Sequence, residues 1–323
     1  MHLYGMDQAP SPDQCPKREY DIGLKTLDSS SVFSRLRQWL PIRLFLYALS
    51  LIATAVAATI LTRLLVPPAP SRWHQLVLIK NLLLPLAAFA LYARLVHVLE
   101  HRRAREIEIR HKLPAFLTGT LVGTSIMAAF FLILWAFGMA HIARGTGADG
   151  LATEVLAPMV TAMGEELLFR AVLFRIVEEI GGTTVAILIS ATLFGLSHVA
   201  NPGATAITIF ALSIEGGVML ALAYALTRNL WLAVGIHMGW NFTEGYVFGA
   251  NDSGLRDPHS LLRTTLSGPD LLTGGAFGPE GSMLMLGLSL IASTILIGLI
   301  VRQGGWQTAR FRLRVTREQS DHS

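Results

Sequence analysis

Apolar residues recur along this chain in stretches close to the roughly 20 residues that an α-helix needs to cross a bilayer. Read with that window, the sequence predicts helices over 44–66, 76–98, 115–140, 153–177, 183–200, 204–227, 230–249 and 282–302. The breaks between them are chemically distinct: VPPAP at 66–70, GTGADG at 145–150, GG at 181–182, NPG at 201–203 and RN at 228–229. Proline and glycine end helices because of the missing N–H and the free backbone, so the punctuation agrees with the periodicity. The pattern predicts an all-α fold, a polytopic membrane helix bundle of about eight transmembrane helices.

The predicted organisation is an N-terminal tail over 1–43, accessory helices over 44–150 and a polar-studded core over 151–249. An extramembrane loop over 250–281 follows, rich in glycine, proline and acids and able to form a flap over one end, and then a last helix with a basic tail over 282–323. Composition agrees: of 323 residues 52% are hydrophobic and 15% charged, with a mean hydropathy of +0.50, where a soluble domain carries about 25% charged residues. The opening segment has acids, prolines and no apolar core, so it is expected to stay on the mature chain. Cys15 is the single cysteine, which leaves no intrachain disulfide and no zinc finger.

Charge orients the bundle. Lys17, Arg18, Lys25, Arg35, Arg37 and Arg43 precede the first helix, Arg102, Arg103, Arg105, Arg110 and Lys112 follow the second, and Arg302, Arg310, Arg312, Arg314 and Arg317 follow the last. With eight spans these share one side with Arg228, while Arg72, Arg144, Arg256 and Arg263 fall on the other. The positive-inside rule then makes both termini cytoplasmic. The formal charge of +4 is explained by arginines facing anionic lipid, the expected membrane partner, and no groove-reading motif suggests nucleic acid.

Against this background, polar residues in the core stand out. Glu165, Glu166, Arg170, Arg175, Glu178 and Glu179 fall in the fourth segment, His198 in the fifth, Glu215 in the sixth, and His237, Asn241 and Glu244 in the seventh. A charge at the bilayer centre costs at least roughly 2.5–3.5 kcal/mol, so this density implies an internal polar cavity. Glu166 and Arg170 are spaced i,i+4 and within ion-pair reach, either as an anchor of the helix or as part of the chemistry. Glu165, rotated about 100° away, has no cation in its own helix and is the candidate base. Glu178 and Glu179 read as a solvated helix end, and Glu215 beside Gly216 and Gly217 as an interhelical hydrogen-bonding group or a cavity-lining acid. His198 follows Phe194 at i,i+4, and His237 precedes Asn241 by the same spacing. One free carboxylate, two histidines and an asparagine are the groups needed to activate water and hold an oxyanion. Straight helices, however, would leave His198 and His237 about 10 Å apart in depth, so the site requires tilted, shortened or irregular ones.

The ordered set E-E-x-x-x-R (Glu165, Glu166, Arg170), F-x-x-x-H (Phe194, His198) and H-x-x-x-N (His237, Asn241) resembles the CPBP family of intramembrane proteases, also called ABI for abortive infection. That family includes the type II CAAX prenyl endopeptidases and bacteriocin-processing or immunity proteins. The resemblance covers roughly 153–249. It implies hydrolysis of a peptide bond in a membrane-associated peptide or lipidated-protein substrate, of the prenylated CAAX type or a leader peptide. In it Glu165 and His198 would activate water, His237 and Asn241 would stabilise the oxyanion, and Glu166 with Arg170 would support them. No cofactor is required on this reading. Some descriptions of the family are metallo-type, in which His198, His237 and Glu165 would bind Zn2+; the sequence lacks H-E-x-x-H, yet a zinc site can be assembled across helices. A proton-coupled transporter and a non-catalytic immunity or scaffold protein are the alternatives, and the acid and histidine motifs show no repetition between the two halves of the kind many transporters carry.

Overall fold

The computed structural model describes residues 40–65, 70–147, 151–256 and 259–309. The N-terminal tail with Cys15, most of the VPPAP break, the end of the GTGADG break and the basic residues from Arg310 onward lie outside them.

Each predicted apolar segment is helical. Helices α1 (Leu40–Leu65) and α2 (Pro70–Glu100) lead to α3 (Leu113–Ala136), and α4 (Leu151–Glu166) runs through a π-helical stretch, Leu167–Phe174, into α5 (Arg175–Leu196). Next, α6 (Ala206–Leu212) passes through a π-helical stretch, Ser213–Val218, into α7 (Met219–Thr227). Then α8 (Trp231–Asn241) ends in a third, Phe242–Val247, and α10 (Met283–Arg302) closes the described chain.

Among the described residues, four helices are long and apolar enough to cross a membrane: Leu83–Glu100, Leu113–Ala136, Ala206–Thr227 and Met283–Arg302, with Pro41–Thr54 a shorter apolar stretch. This is a mostly helical membrane protein, and helix length and apolarity do not establish the eight spans expected. The reason is chemical. Helix α4 carries Glu154, Glu165 and Glu166; α5 starts with Arg175, Glu178 and Glu179; and α8 is only 11 residues long. The GG break holds, for inside α5 Gly182 adopts φ 74° and ψ 176°, a conformation costly for a residue with a side chain.

The fold is not purely helical. Strand β1 (Ala140–Arg144) pairs antiparallel with β4 (Leu262–Leu266), and β2 (Asn251–Asp252) with β3 (Leu255–Arg256). The segment read as an open loop therefore has its own structure, completed by the short helix α9 (Asp270–Thr273) and a 3-10 turn, Pro279–Gly281.

Large apolar side chains remain exposed on outer faces, among them Phe45, Leu49 and Ile52 of α1, Leu117, Leu121 and Leu132 of α3, and Ile291 and Ile295 of α10. Lipid covers such faces at no cost, whereas a soluble protein rarely exposes so much apolar surface. Inside the bundle, α3 meets α8 through two small-xxx-small stripes, Gly119/Gly123 and Gly235/Gly239. A Cβ on Gly123 would stand 2.1 Å from Ile236 O, and one on Gly239 2.3 Å from Thr120 O. Without a hydrophobic force between helices in lipid, such backbone approach and the packing it permits hold the pair together.

One end of the bundle is closed by charge. Arg43 of α1 bonds Glu179 (2.8 Å) and Glu100 (2.9 Å), Arg175 bonds Glu100 (2.7 Å), and Arg102 bonds Glu106 (2.7 Å). Glu178, read as a solvated helix end, is buried and paired with Arg228 and the Thr183 hydroxyl, the latter at 2.6 Å.

Candidate active site

Glu165 and Glu166 end α4 where it passes into the first π-helical stretch. Adjacent helical residues point about 100° apart, and the two carboxylates meet different surroundings. The Glu166 side chain is fully buried; that of Glu165 retains 28% exposure and lines a cavity of about 620 Å³. This volume lies within the roughly 300–1,000 Å³ usual for ligand sites.

Glu166 is the hub of the buried side. Its Oε1 accepts from Arg170 Nη1 at 2.8 Å and from His237 Nδ1 at 3.0 Å. Arg170, also fully buried, donates through Nη2 to Gly216 O (2.7 Å) and Gly217 O (3.2 Å), and its guanidinium lies 4.7 Å from the centre of the Phe194 ring. Gly216 makes this possible, since a Cβ there would stand 2.5 Å from Phe194 Cε1. The ion pair therefore ties α4, α5, the 213–218 stretch and α8 at one point.

His237 presents its other nitrogen to the cavity, with Nε2 3.9 Å from Glu165 Oε2. Because Nδ1 donates to the Glu166 carboxylate, the ring orientation is fixed. His198, in the turn after α5, donates Nδ1–H to Phe194 O at 3.0 Å and also faces the Ser197 hydroxyl at 3.0 Å, so its Nε2 is the nitrogen left to accept a proton. Both imidazoles pack on Phe194, with ring centres 5.2 Å (His198) and 6.1 Å (His237) away. Asn241 lines the same cavity one helical turn after His237.

Thus Glu165, His198, His237 and Asn241 share one cavity, with Glu166 and Arg170 behind it. The separation in depth expected for straight helices does not arise. Helix α5 stops at Leu196 and turns, and the π-helical stretches shift the register of three neighbouring segments. Glu215 resolves in favour of the cavity: it lines the wall, fully buried, with both carboxylate oxygens lacking a hydrogen-bond partner.

The cavity also receives Asp252, Ser253 and Glu280 from the segment between α8 and α10. Sequence reasoning missed these, because nothing in a glycine-rich polar stretch distinguishes an inward acid from a solvated one. Trp240 donates its indole N–H to Glu280 at 3.1 Å.

Among the described residues, one set of three histidine, cysteine, aspartate or glutamate side chains brings its ligand atoms within 4.8 Å of one another, and it is Glu244, Asp252 and Glu280. Glu165, His198 and His237 do not form such a set, so a zinc ion held by all three would need them to draw closer.

Residues 147–243 match the family described as Rce1-like, type II CAAX prenyl endopeptidase. This stretch is an Rce1-like domain. No curated protein matches the chain, and no solved structure matches it. The Rce1-like domain takes in all six residues picked out by the sequence motifs, from Glu165 to Asn241, and ends before Glu244, Asp252 and Glu280. It supports a membrane protease of the general CAAX type.

Proposed function

We propose that this chain is an intramembrane endopeptidase that hydrolyses a peptide bond of a membrane-anchored substrate with water activated by Glu165. One observation carries the reading: four groups suited to acyl-transfer chemistry, from three helical segments, line one cavity beside a buried ion pair.

In the proposed reaction Glu165 removes a proton from water, whose oxygen attacks the scissile carbonyl carbon. His198, with Nδ1–H held by Phe194 O, offers Nε2 to the same water. Negative charge develops on the carbonyl oxygen, and the Asn241 amide with His237 Nε2–H stabilises it. A His237 ring carrying protons on both nitrogens is balanced by the paired carboxylates, since Glu165 and Glu166 together face one arginine, Arg170. Collapse of the tetrahedral intermediate breaks the C–N bond, and the proton taken by Glu165 passes to the leaving amine. Glu166 and Arg170 position His237 and do not touch substrate.

The substrate is a peptide held at the membrane, prenylated or a leader segment, and the chain divides into accessory helices over 44–150 and a catalytic core over 151–249. Eight spans with both termini cytoplasmic complete the reading. The test is cleavage of membrane-anchored peptides, prenylated and plain, by full-length protein in detergent. Loss of cleavage in Glu165→Gln and in His198→Ala, with wild-type thermal stability, is expected. Undiminished cleavage by Glu165→Gln would eliminate the mechanism, and cleavage lost on chelation and restored by Zn2+ in a protein still carrying Asp252→Asn would move the histidines into a metal shell.

A further inference from the structure

The proposed reaction leaves a second set of groups unused. Glu215, Glu244, Asp252 and Glu280 come from four different segments, and among the described residues no lysine or arginine pairs with any of them. Glu215 and Glu244 are fully buried and Glu280 is 4% exposed. Both oxygens of Glu244 lack a hydrogen-bond partner, as do both of Glu215. The indole of Trp240 gives its hydrogen bond to Glu280 Oε1. Buried carboxylates without partners are costly and rare, so one unpartnered glutamate aimed at two further acids needs a physical explanation.

The surrounding chain is built to bring these acids together. Gly254 N donates to Phe277 O at 2.6 Å, and Asn251 Nδ2 to Ala276 O at 2.9 Å, which clips the β2–β3 hairpin onto the segment leading to Glu280. Gly278, at φ 108°, allows the approach, since a Cβ there would stand 2.0 Å from Asn251 O. Asn201 Nδ2 holds Ser253 O at 2.8 Å. Glu280 is oriented on both oxygens, Oε1 by Trp240 and Oε2 by the Ser253 hydroxyl. Outer hydrogen bonds that fix a carboxylate are what a metal ligand requires.

Donor type and spacing narrow the ligand. The donors are all carboxylate oxygens, with no sulfur and no imidazole, which suits a hard cation. One oxygen from each of Glu244, Asp252 and Glu280 lies within 4.8 Å of the others.

We propose that Glu244, Asp252 and Glu280 bind one hard divalent cation, with Glu215 on the adjacent wall adding negative charge, and that the ion pins the β2–β3 hairpin and the 279–281 turn to the cavity. Asp252 and Glu280 both line that cavity, so the ion sets the shape of one of its walls.

The test needs no substrate and stands whether or not the chain is a protease. Full-length protein in detergent, stripped with a chelator, is titrated with Mn2+ while free Mn2+ is followed by electron paramagnetic resonance, with Ca2+ as competitor. One Mn2+ per chain, displaced by Ca2+ and accompanied by a raised thermal midpoint, is expected. Binding weakens at least about tenfold in Asp252→Asn and in Glu244→Gln, and is unchanged in His198→Ala. Binding that survives both carboxylate substitutions but disappears in His198→Ala places the ion at the histidines and overturns the proposal. Absence of binding, with Glu244→Gln or Asp252→Asn raising the thermal midpoint of stripped protein, shows acids held neutral by protons and overturns it equally.

Discussion

Glu166 and His237 are joined across two helices by a buried hydrogen bond of 3.0 Å, and the same carboxylate oxygen accepts from Arg170 at 2.8 Å. The neighbouring Glu165 makes no such bond, standing 3.9 Å from the far nitrogen of the same imidazole. The two adjacent acids thus divide the work: one fixes His237, and the other faces the cavity. The helical rotation between consecutive residues, about 100°, is sufficient cause.

Their substitutions should separate accordingly. We predict that Glu165→Gln lowers cleavage by about 10²–10⁴-fold, the range for removing a general base, with no change in thermal midpoint. Glu166→Gln leaves the Arg170 charge buried without a counter-charge and destabilises by about 3–5 kcal/mol in addition to reducing activity. Parallel cleavage and thermal-unfolding measurements on the two variants check this, and equal stability losses would show that the division of roles is wrong.

Arg170 reaches four partners with one planar group: Glu166, the carbonyls of Gly216 and Gly217, and the Phe194 face. A lysine offers a single ammonium and no plane to stack, so Arg170→Lys keeps the charge but strands the carbonyls. We predict a loss of about 1–3 kcal/mol, the usual penalty for unsatisfied buried groups, and slower cleavage because Phe194 carries both imidazoles. Wild-type stability in the lysine variant would show that the carbonyl contacts contribute nothing.

How much of this was legible depends on whether the determinant is local. The Glu166–Arg170 pair follows from i,i+4 spacing, and the eight helical segments follow from apolar runs and their glycine and proline breaks. The meeting of His198 and His237 does not, because it depends on how separate helices pack around Phe194, on which both imidazoles lie. Asp252 and Glu280 were invisible for a different reason. Their inward orientation comes from the β2–β3 hairpin held to Ala276 and Phe277, contacts between residues whose polarity reads as surface. The pairing of Glu178 with Arg228 spans 50 residues and carries no periodic signal.

The glycine stripes between α3 and α8 link packing to chemistry, because α8 also bears His237 and Asn241. A methyl group at Gly123 would lie 2.1 Å from Ile236 O, one residue before His237. That oxygen is backbone and cannot swing aside, so α3 and α8 must separate. We predict that Gly123→Ala costs about 1–3 kcal/mol, as overpacking does, and lowers cleavage by moving His237 relative to Glu165. Gly287→Ala on α10, where an added Cβ meets nothing within 4 Å, is the matched control and should leave thermal stability and cleavage unchanged. Equal behaviour of the two variants would sink the argument.

Acid should loosen the charged end of the bundle by neutralising its paired carboxylates. Glu106 lies in the connection between α2 and α3, buried, bonded by Arg102 at 2.7 Å and by the Tyr92 hydroxyl. Burial acts to raise its pKa, but the hydrogen bonds from Arg102 and Tyr92 and the charge of Arg175 outweigh it, and the carboxyl titrates below its ordinary value. A carboxylate whose folded pKa is lowered contributes stability that is fully present above the unfolded value, about 4.3 for glutamate, and is lost as pH falls through the folded value. We predict that wild type exceeds Glu106→Gln in thermal midpoint at pH 7 and that the gap narrows progressively below about pH 4.3. A gap that stays constant with pH in thermal unfolding would mean that Glu106 stabilises this end through packing and neutral hydrogen bonds, with its charge contributing nothing.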